Sequence, residues 1–227
     1  SAAPSAWRRM IAPAELAVAL EGGDELDPDS RLRVGAALVT GIGAPMVPAV
    51  GRELLAPLAE RWEPKAALLT ARANRAMGES EAAYEMALRA LAGGAGEALS
   101  LVDALEAKLP LAAILSVQLE LSENWPGAGE AATKDDALLS SGNVSGLARR
   151  ARAAANGRDR PRDYASAYYW ASLAAAAGDR GAAALRDRLD LRFSGKEGWA
   201  EATTRAQEQA INTWIGGLAA NIAARAE

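Results

Sequence analysis

The chain has 227 residues, half of them hydrophobic, yet aromatic side chains make up only 5%. Its 25 basic and 29 acidic residues leave a net charge of −4, which argues against bulk nucleic-acid binding, whose proteins carry a basic excess or stripe. There is no Cys and no His, so disulfides, thiolate and imidazole metal sites, cysteine nucleophiles and every His-based triad are excluded.

Alanine supplies much of the apolar content. It is the best helix former and lets backbones approach closely, so many tightly packed helices and an all-α fold are expected. No apolar run approaches the roughly 18 to 20 residues that span a bilayer, and no membrane span is expected. Ser1-Ala2-Ala3-Pro4, with no initiator Met, resembles the small-residue boundary left by signal cleavage. A periplasmic location is expected on that ground, with cytoplasmic as the alternative.

In chain order, residues 1–12 hold Trp7, Arg8, Arg9, Met10 and Ile11, and Pro13 opens a short helix through Leu16 and Leu20 that Gly22-Gly23-Asp24 stops. Asp27-Pro28-Asp29-Ser30 starts the next, with Leu32, Gly35, Ala36 and Val39 at helical spacing up to Thr40. Gly41-Ile42-Gly43 ends it, and Ala49 to Arg61 forms its partner, where Pro57 is a potential kink. A third pair runs from Pro64 to Gly78 and from Glu81 to Ala92, closed by Gly93-Gly94. After a helix from Gly96 to Leu109, Pro110 opens the strongly apolar run Leu111 to Leu121, which predicts the most buried segment. Asn124 to Glu130 reads as loop and Ala131 to Ser140 as a short helix. Then come Ser145 to Asn156, the loop Gly157 to Arg162, Asp163 to Ala177 with Asp163 as N-cap, and a helix to Phe193. The last helix, Trp199 to Arg225, places Ile211, Trp214, Ile215, Leu218 and Ile222 on one face, with an interruption at Gly216-Gly217.

One pattern occurs twice at a constant offset of 84. Ala83, Tyr84, Ala87, Ala90, Ala92, Gly94, Ala98, Leu101, Asp103 and Leu105 return as Ala167, Tyr168, Ala171, Ala174, Ala176, Gly178, Ala182, Leu185, Asp187 and Leu189. A fixed-period echo marks stacked helix pairs that bury their apolar faces against their neighbours. Ser145 to Leu189 resembles the Sel1-like repeat, a relative of the tetratricopeptide repeat, through Gly146-Leu147-Ala148, the Gly157 to Asp163 loop, Tyr164, Ala167, Tyr169-Trp170, Ala174-Ala175, Gly178 and Ala182-Ala183. Leu32 to Ala71 and Pro64 to Leu105 look like weaker copies. The resemblance implies one right-handed α-solenoid over residues 1–227, with an N-terminal segment to residue 29, helical repeats over 30–193 and a C-terminal capping helix over 194–227. It also implies a concave face lined mainly by the first helix of each pair, and adaptor or scaffold function.

Candidate binding residues are few. Arg149, Arg150, Arg152, Arg158, Arg160 and Arg162 crowd together, and guanidinium forks recognise carboxylates and phosphates. Against that, Arg149 and Arg152 can simply cover a helix's outer face, with the loop arginines solvated. Trp62 and Trp125 at helix ends and Trp214 in the last helix can anchor structure or present rings to a partner. The carboxylates Glu15, Glu21, Glu53, Glu60, Glu106, Glu120, Glu123, Asp135 and Asp136 show no converging pair in the sequence. Gly41-Ile42-Gly43 lacks the Lys-Ser/Thr of a phosphate loop, and Asp24 to Asp29 lacks the Gly and Glu of a calcium loop. No catalytic residue, metal or cofactor is expected. The expected function is a non-enzymatic protein–protein interaction scaffold of the bacterial envelope. The alternatives are a subunit of a membrane-associated assembly held by its terminal helix, and a glycan-acting or glycan-binding protein of the cell wall.

Overall fold

The computed structural model describes residues 10–157 and 160–226; Trp7, Arg8, Arg9 and Arg158 lie outside the described residues. Among these the protein is all-helical, with no strand. Between Lys108 and Leu109 the chain divides into two compact units.

The first unit contains α1 (Pro13–Leu20), α2 (Pro28–Thr40), α3 (Pro48–Glu60), α4 (Pro64–Ala76), α5 (Ser80–Ala92), a 3-10 turn (Gly96–Ala98) and α6 (Leu99–Glu106). Helices α1 to α4 each start with proline, where the missing N–H would have no partner anyway. Asp27 caps α2, its Oδ1 accepting from the Asp29 and Ser30 amides at 3.0 Å, and these bonds hold its carboxyl below the usual range. Close packing of α2 on α3 depends on two glycines. A Cβ at Gly35 would lie 2.6 Å from Leu55, and one at Gly51 would lie 2.7 Å from Val39. Val34, Ala37, Leu38 and Leu54 fill the core beneath this crossing. Pro57 lies within α3, which continues to Glu60.

The second unit contains α7 (Leu111–Asn124), α8 (Ala128–Ser141), α9 (Val144–Asn156), α10 (Tyr164–Ala176), α11 (Arg180–Phe193), α12 (Trp199–Thr213), a π-helical segment (Trp214–Leu218) and α13 (Ala219–Ala226). Helix α10 is central to it, burying Tyr164, Tyr168, Tyr169, Trp170 and Leu173 against α9, α11 and α12. Aromatic rings knit these helices together, with Tyr164–Phe193 centroids 4.9 Å apart, Phe193–Trp199 5.0 Å and Tyr168–Trp199 perpendicular at 5.7 Å. Such pairs add about 0.5–1.5 kcal/mol beyond area burial. Gln118, 1% exposed, accepts from the Tyr164 amide at 2.9 Å and so satisfies an orphan donor at the start of α10.

Two expectations are corrected here. The run Leu111 to Leu121 is not the most buried segment: α7 buries Leu111, Ile114, Gln118 and Leu121, while Leu119 is 50% exposed. Its apolar residues surround the helix but only one face packs. The alanine-rich α4 and α10 bury more. The C-terminal apolar residues also fail to form one face. Gly217 at φ 131° breaks the helix, leaving Leu218 buried while Ile211 and Ile215 are exposed. Beyond the break α13 turns back onto α8, where Asn221 Nδ2 donates to the Leu139 carbonyl and Arg225 Nη1 to the Ser141 carbonyl, both at 3.3 Å. These donors close the C-terminus of α8, where a cation is favoured.

The sequence echo has a structural counterpart. Tyr84 donates to Glu106 at 2.9 Å and Tyr168 to Asp190 at 3.2 Å, in each case 22 residues on. Gly94 and Gly178 sit at φ 95° and 94°. Each closes the same Schellman turn, with Ala95 and Asp179 donating 2.9 Å bonds to the Ala90 and Ala174 carbonyls. Between α3 and α4 the equivalent turn uses Trp62 at φ 62° in place of glycine.

Candidate functional site

The second unit carries an open groove of about 730 Å³ formed by α7, α8, α10 and α12, with Arg150 of α9 also lining it. Leu115 and Leu119 of α7 and Leu139 of α8 make apolar walls, Ala202 and Ala206 line it from α12, and Tyr169 and Trp170 of α10 border its inner side. Asp136, Glu201 and Arg205 carry charge around it. Tyr169 is fixed by a 2.9 Å hydrogen bond to Thr213, and burial pushes its phenol above the usual range.

A smaller recess of about 180 Å³ shares Asp135, Arg150, Asp163 and Ser166 with the groove and adds Ser122, Trp125, Arg160 and Pro161. Its polar frame starts from Asp135. Arg150 grips this carboxylate bidentately, Nε to Oδ1 at 2.7 Å and Nη2 to Oδ2 at 3.0 Å, and Arg160 Nη1 reaches Oδ2 at 3.3 Å. The Arg150 guanidinium lies 5.2 Å from the Trp170 ring centroid, a cation–π contact that adds to the fork. Arg150 Nη1 is buried without a hydrogen-bond partner.

Asp163 caps α10, accepting from the Ser166 amide at 2.8 Å. The residue is half-buried but its carboxyl is enclosed. Burial raises its pKa above the usual carboxylate value, outweighing the hydrogen bonds from Ser166 and Ser122 and the positive charge of Arg150.

The arginine cluster therefore separates into different roles. Arg149 and Arg152 are exposed on α9. Arg150 and Arg160 converge on Asp135, and Arg162 is buried, its Nη1 donating to the Tyr164 hydroxyl at 3.2 Å. The expectation of solvated loop arginines is corrected for Arg160 and Arg162, since both lie against folded helices. Arg158 is outside the described residues.

The tryptophans also separate. Trp62 anchors the α3–α4 turn with Arg89 stacked 4.9 Å from its centroid, while Glu85 holds Arg89 at 2.8 Å. Trp125 is half-buried at the mouth of the recess, folded over Gly127, where a Cβ would lie 2.5 Å from its ring. Trp214 is half-buried at the start of the π-helical segment.

Among the carboxylates, Glu15 pairs with Arg33 and Glu106 with Tyr84, while Glu21, Glu53, Glu60, Glu120 and Glu123 are exposed. Asp135 and Asp136 diverge, the first into the arginine fork and the second to an exposed position on the groove. No group of three or more Asp, Glu, His or Cys among the described residues is placed to hold a metal ion. No helix of the described residues is long and apolar enough to cross a membrane.

Sequence reasoning missed the Asp135–Arg150 fork and the enclosure of Asp163. A signal for the fork was present. Asp135 stands seven positions before Gly142 and Arg150 eight after it, so an antiparallel hairpin turning at Ser141-Gly142-Asn143 sets them opposite each other. Comparison with family models, with curated proteins and with solved structures gives no significant match for the chain.

Proposed function

We propose that the protein is a non-enzymatic interaction scaffold that docks another protein or peptide in the groove of its second unit. The carrying observation is an apolar-walled groove of about 730 Å³ whose inner residues, Tyr169 and Trp170, are locked by Thr213 and by the Arg150–Asp135 fork. A preformed apolar surface ringed by polar groups is what a docking site requires. The repeated Tyr–acid bond and the repeated Schellman turn support helix-pair repeats of the Sel1-like, tetratricopeptide-related kind.

Photo-crosslinking from position 119, on the groove wall, tests this reading against position 191, whose leucine is 86% exposed outside the groove. A discrete protein adduct from 119 and none from 191 is the expected result. Equal labelling from both, or none from 119, contradicts it.

Two further readings each have a motivating observation. Exposed Ile211 and Ile215 beside the helix break favour an assembly contact through the C-terminal region; charged substitutions there that leave a native mass spectrum unchanged would remove that reading. Asp135 and Asp163, two carboxylates lining one recess, are the observation behind acid chemistry on a wall glycan. That reading needs release of reducing ends from cell-wall polymer that disappears in Asp163→Asn, and polymer left intact by the unaltered protein removes it.

A further inference from the structure

We infer that the occupant of the groove is an amphipathic helix with a leucine-like apolar stripe flanked by basic residues. This rests on the groove being the docking site and specifies what docks there.

The helical form follows from the walls. The bordering elements are all helices, α7, α8, α9, α10 and α12, and away from their termini the backbone N–H and C=O groups are spent within the helices themselves. The groove therefore offers no strand edge to an extended peptide, which favours a guest that satisfies its own backbone, as a helix does. A volume of about 730 Å³ is too small to enclose a helix of about 10–12 Å diameter, but it accepts the side chains of one helical face. Leu115, Leu119 and Leu139 meet that face, and Leu119 is left 50% exposed by the fold itself.

The charge of the guest follows from the groove's own charges. Four acidic residues line it, Asp135, Asp136, Asp163 and Glu201, against two basic ones, Arg150 and Arg205. Asp135 is neutralised by Arg150 and Arg160. Glu201 has only a loose 3.7 Å pair with Arg205, in which both side chains are largely exposed. Asp136 makes no ion pair through its carboxylate among the described residues. The acidic side chains left without a close ion pair, Asp136 and Glu201, are both exposed on the groove, so lysine or arginine beside the apolar stripe is attracted to them, whereas an acidic flank meets like charge.

The test uses the full chain and three labelled peptides of about 18 residues, long enough to hold helix in isolation. One has a leucine stripe with lysine elsewhere, one the same stripe with glutamate elsewhere, and one the lysine composition with its leucines scrambled. Fluorescence anisotropy is read at low and moderate salt for the unaltered protein, Leu119→Glu, Asp136→Lys, Ala132→Trp, which fills the groove without charging it, and Leu191→Glu as an off-groove control. Circular dichroism and thermal melting confirm that each variant is folded. The lysine-stripe peptide is expected to bind tightest, to weaken about tenfold or more in Leu119→Glu and Ala132→Trp, a loss set by burying a mismatched group, and to be unaffected by Leu191→Glu. Asp136→Lys is expected to weaken it roughly three- to fivefold at low salt and less at moderate salt.

If the glutamate peptide binds as tightly, with the same loss in Leu119→Glu, the groove stands and the basic chemistry is overturned. If the scrambled peptide binds equally, the helical stripe is overturned. If no peptide binds, or binding survives both groove variants, the inference is overturned, and crosslinking from position 119 decides separately whether the groove docks anything.

Discussion

The hairpin α5–α6 of the first unit and the hairpin α10–α11 of the second share a frame but differ in what they build on it. Both place a buried tyrosine against a carboxylate 22 residues on, and both turn through a glycine near φ 95°. They part at the two positions after the tyrosine. Glu85 and Met86 stand in the first, where Tyr169 and Trp170 stand in the second. Glu85 turns to Arg89, which stacks on Trp62 and secures a turn. Tyr169 and Trp170 instead border the groove. The capping position diverges in the same sense, since Glu79 is exposed and pairs with Arg52 at 2.7 Å, whereas the corresponding Asp163 has an enclosed carboxyl at the recess. The shared residues make the fold, and the candidate site occupies the residues that are not shared.

The sharpest way to break this comparison is to truncate the divergent position in both copies. Trp170→Ala is expected to cost about 3–5 kcal/mol in urea unfolding, because a buried ring is lost together with the seat of Arg150. Met86→Ala, half-buried, is expected to cost roughly 1–2 kcal/mol. Equal losses would contradict the assignment of different roles.

Next in size is the arginine cluster. Arg150→Ala removes both arms of the fork and leaves Asp135 held by Arg160 alone, an expected loss of about 3 kcal/mol. Arg149→Ala, one position away and exposed, should change stability by no more than about 0.5 kcal/mol.

The paired tyrosines come third. Tyr84→Phe withdraws a hydroxyl from a carboxylate in a fully buried setting and should cost about 1–3 kcal/mol by chemical denaturation. Tyr168→Phe should cost less than about 1 kcal/mol, because Asp190 keeps the Trp199 indole N–H at 3.0 Å. The turn glycines should behave alike. A methyl at Gly94 or Gly178 meets no atom within 4 Å, so Gly94→Ala and Gly178→Ala should each lose about 1 kcal/mol from backbone conformation alone. A large inequality between them would show that the two turns are not equivalent.

The smallest expected effect is a pH dependence set by Asp163. Because burial raises the Asp163 pKa in the folded state, its ionisation opposes folding: the penalty is absent below the unfolded value of about 3.8 and grows as pH rises through the raised folded value. Asparagine keeps the cap without the charge. The stability of Asp163→Asn relative to the unaltered protein should therefore rise across that interval in urea titrations at stepped pH, and a flat difference would refute the enclosure of the carboxyl.

The sequence made the helices legible because their boundaries are local chemistry. Proline at the first position of α1 to α4, Asp27 and Asp163 as caps, and glycine at the turns all act within a few residues. The echo was legible as far as Leu105 and Leu189, and it stopped one residue short of the carboxylates that matter, because Glu106 and Asp190 differ in name while doing the same work. Burial of α7 was misjudged because its apolar residues encircle the helix, and periodicity cannot say which side will be covered. The groove was not legible. It depends on five helices brought together by tertiary packing, and the Asp135–Arg150 fork is foreshadowed only by the near-symmetric spacing of the two residues about Gly142.

Amide hydrogen exchange on the full chain, with and without the lysine-stripe peptide, tests the central claim most directly. Slowed exchange is expected over residues 112–119, 132–139 and 198–209, with residues 80–106 unchanged. Equal slowing over 80–106, or slowing there alone, would contradict the claim that the second copy of the hairpin carries the docking groove and the first does not.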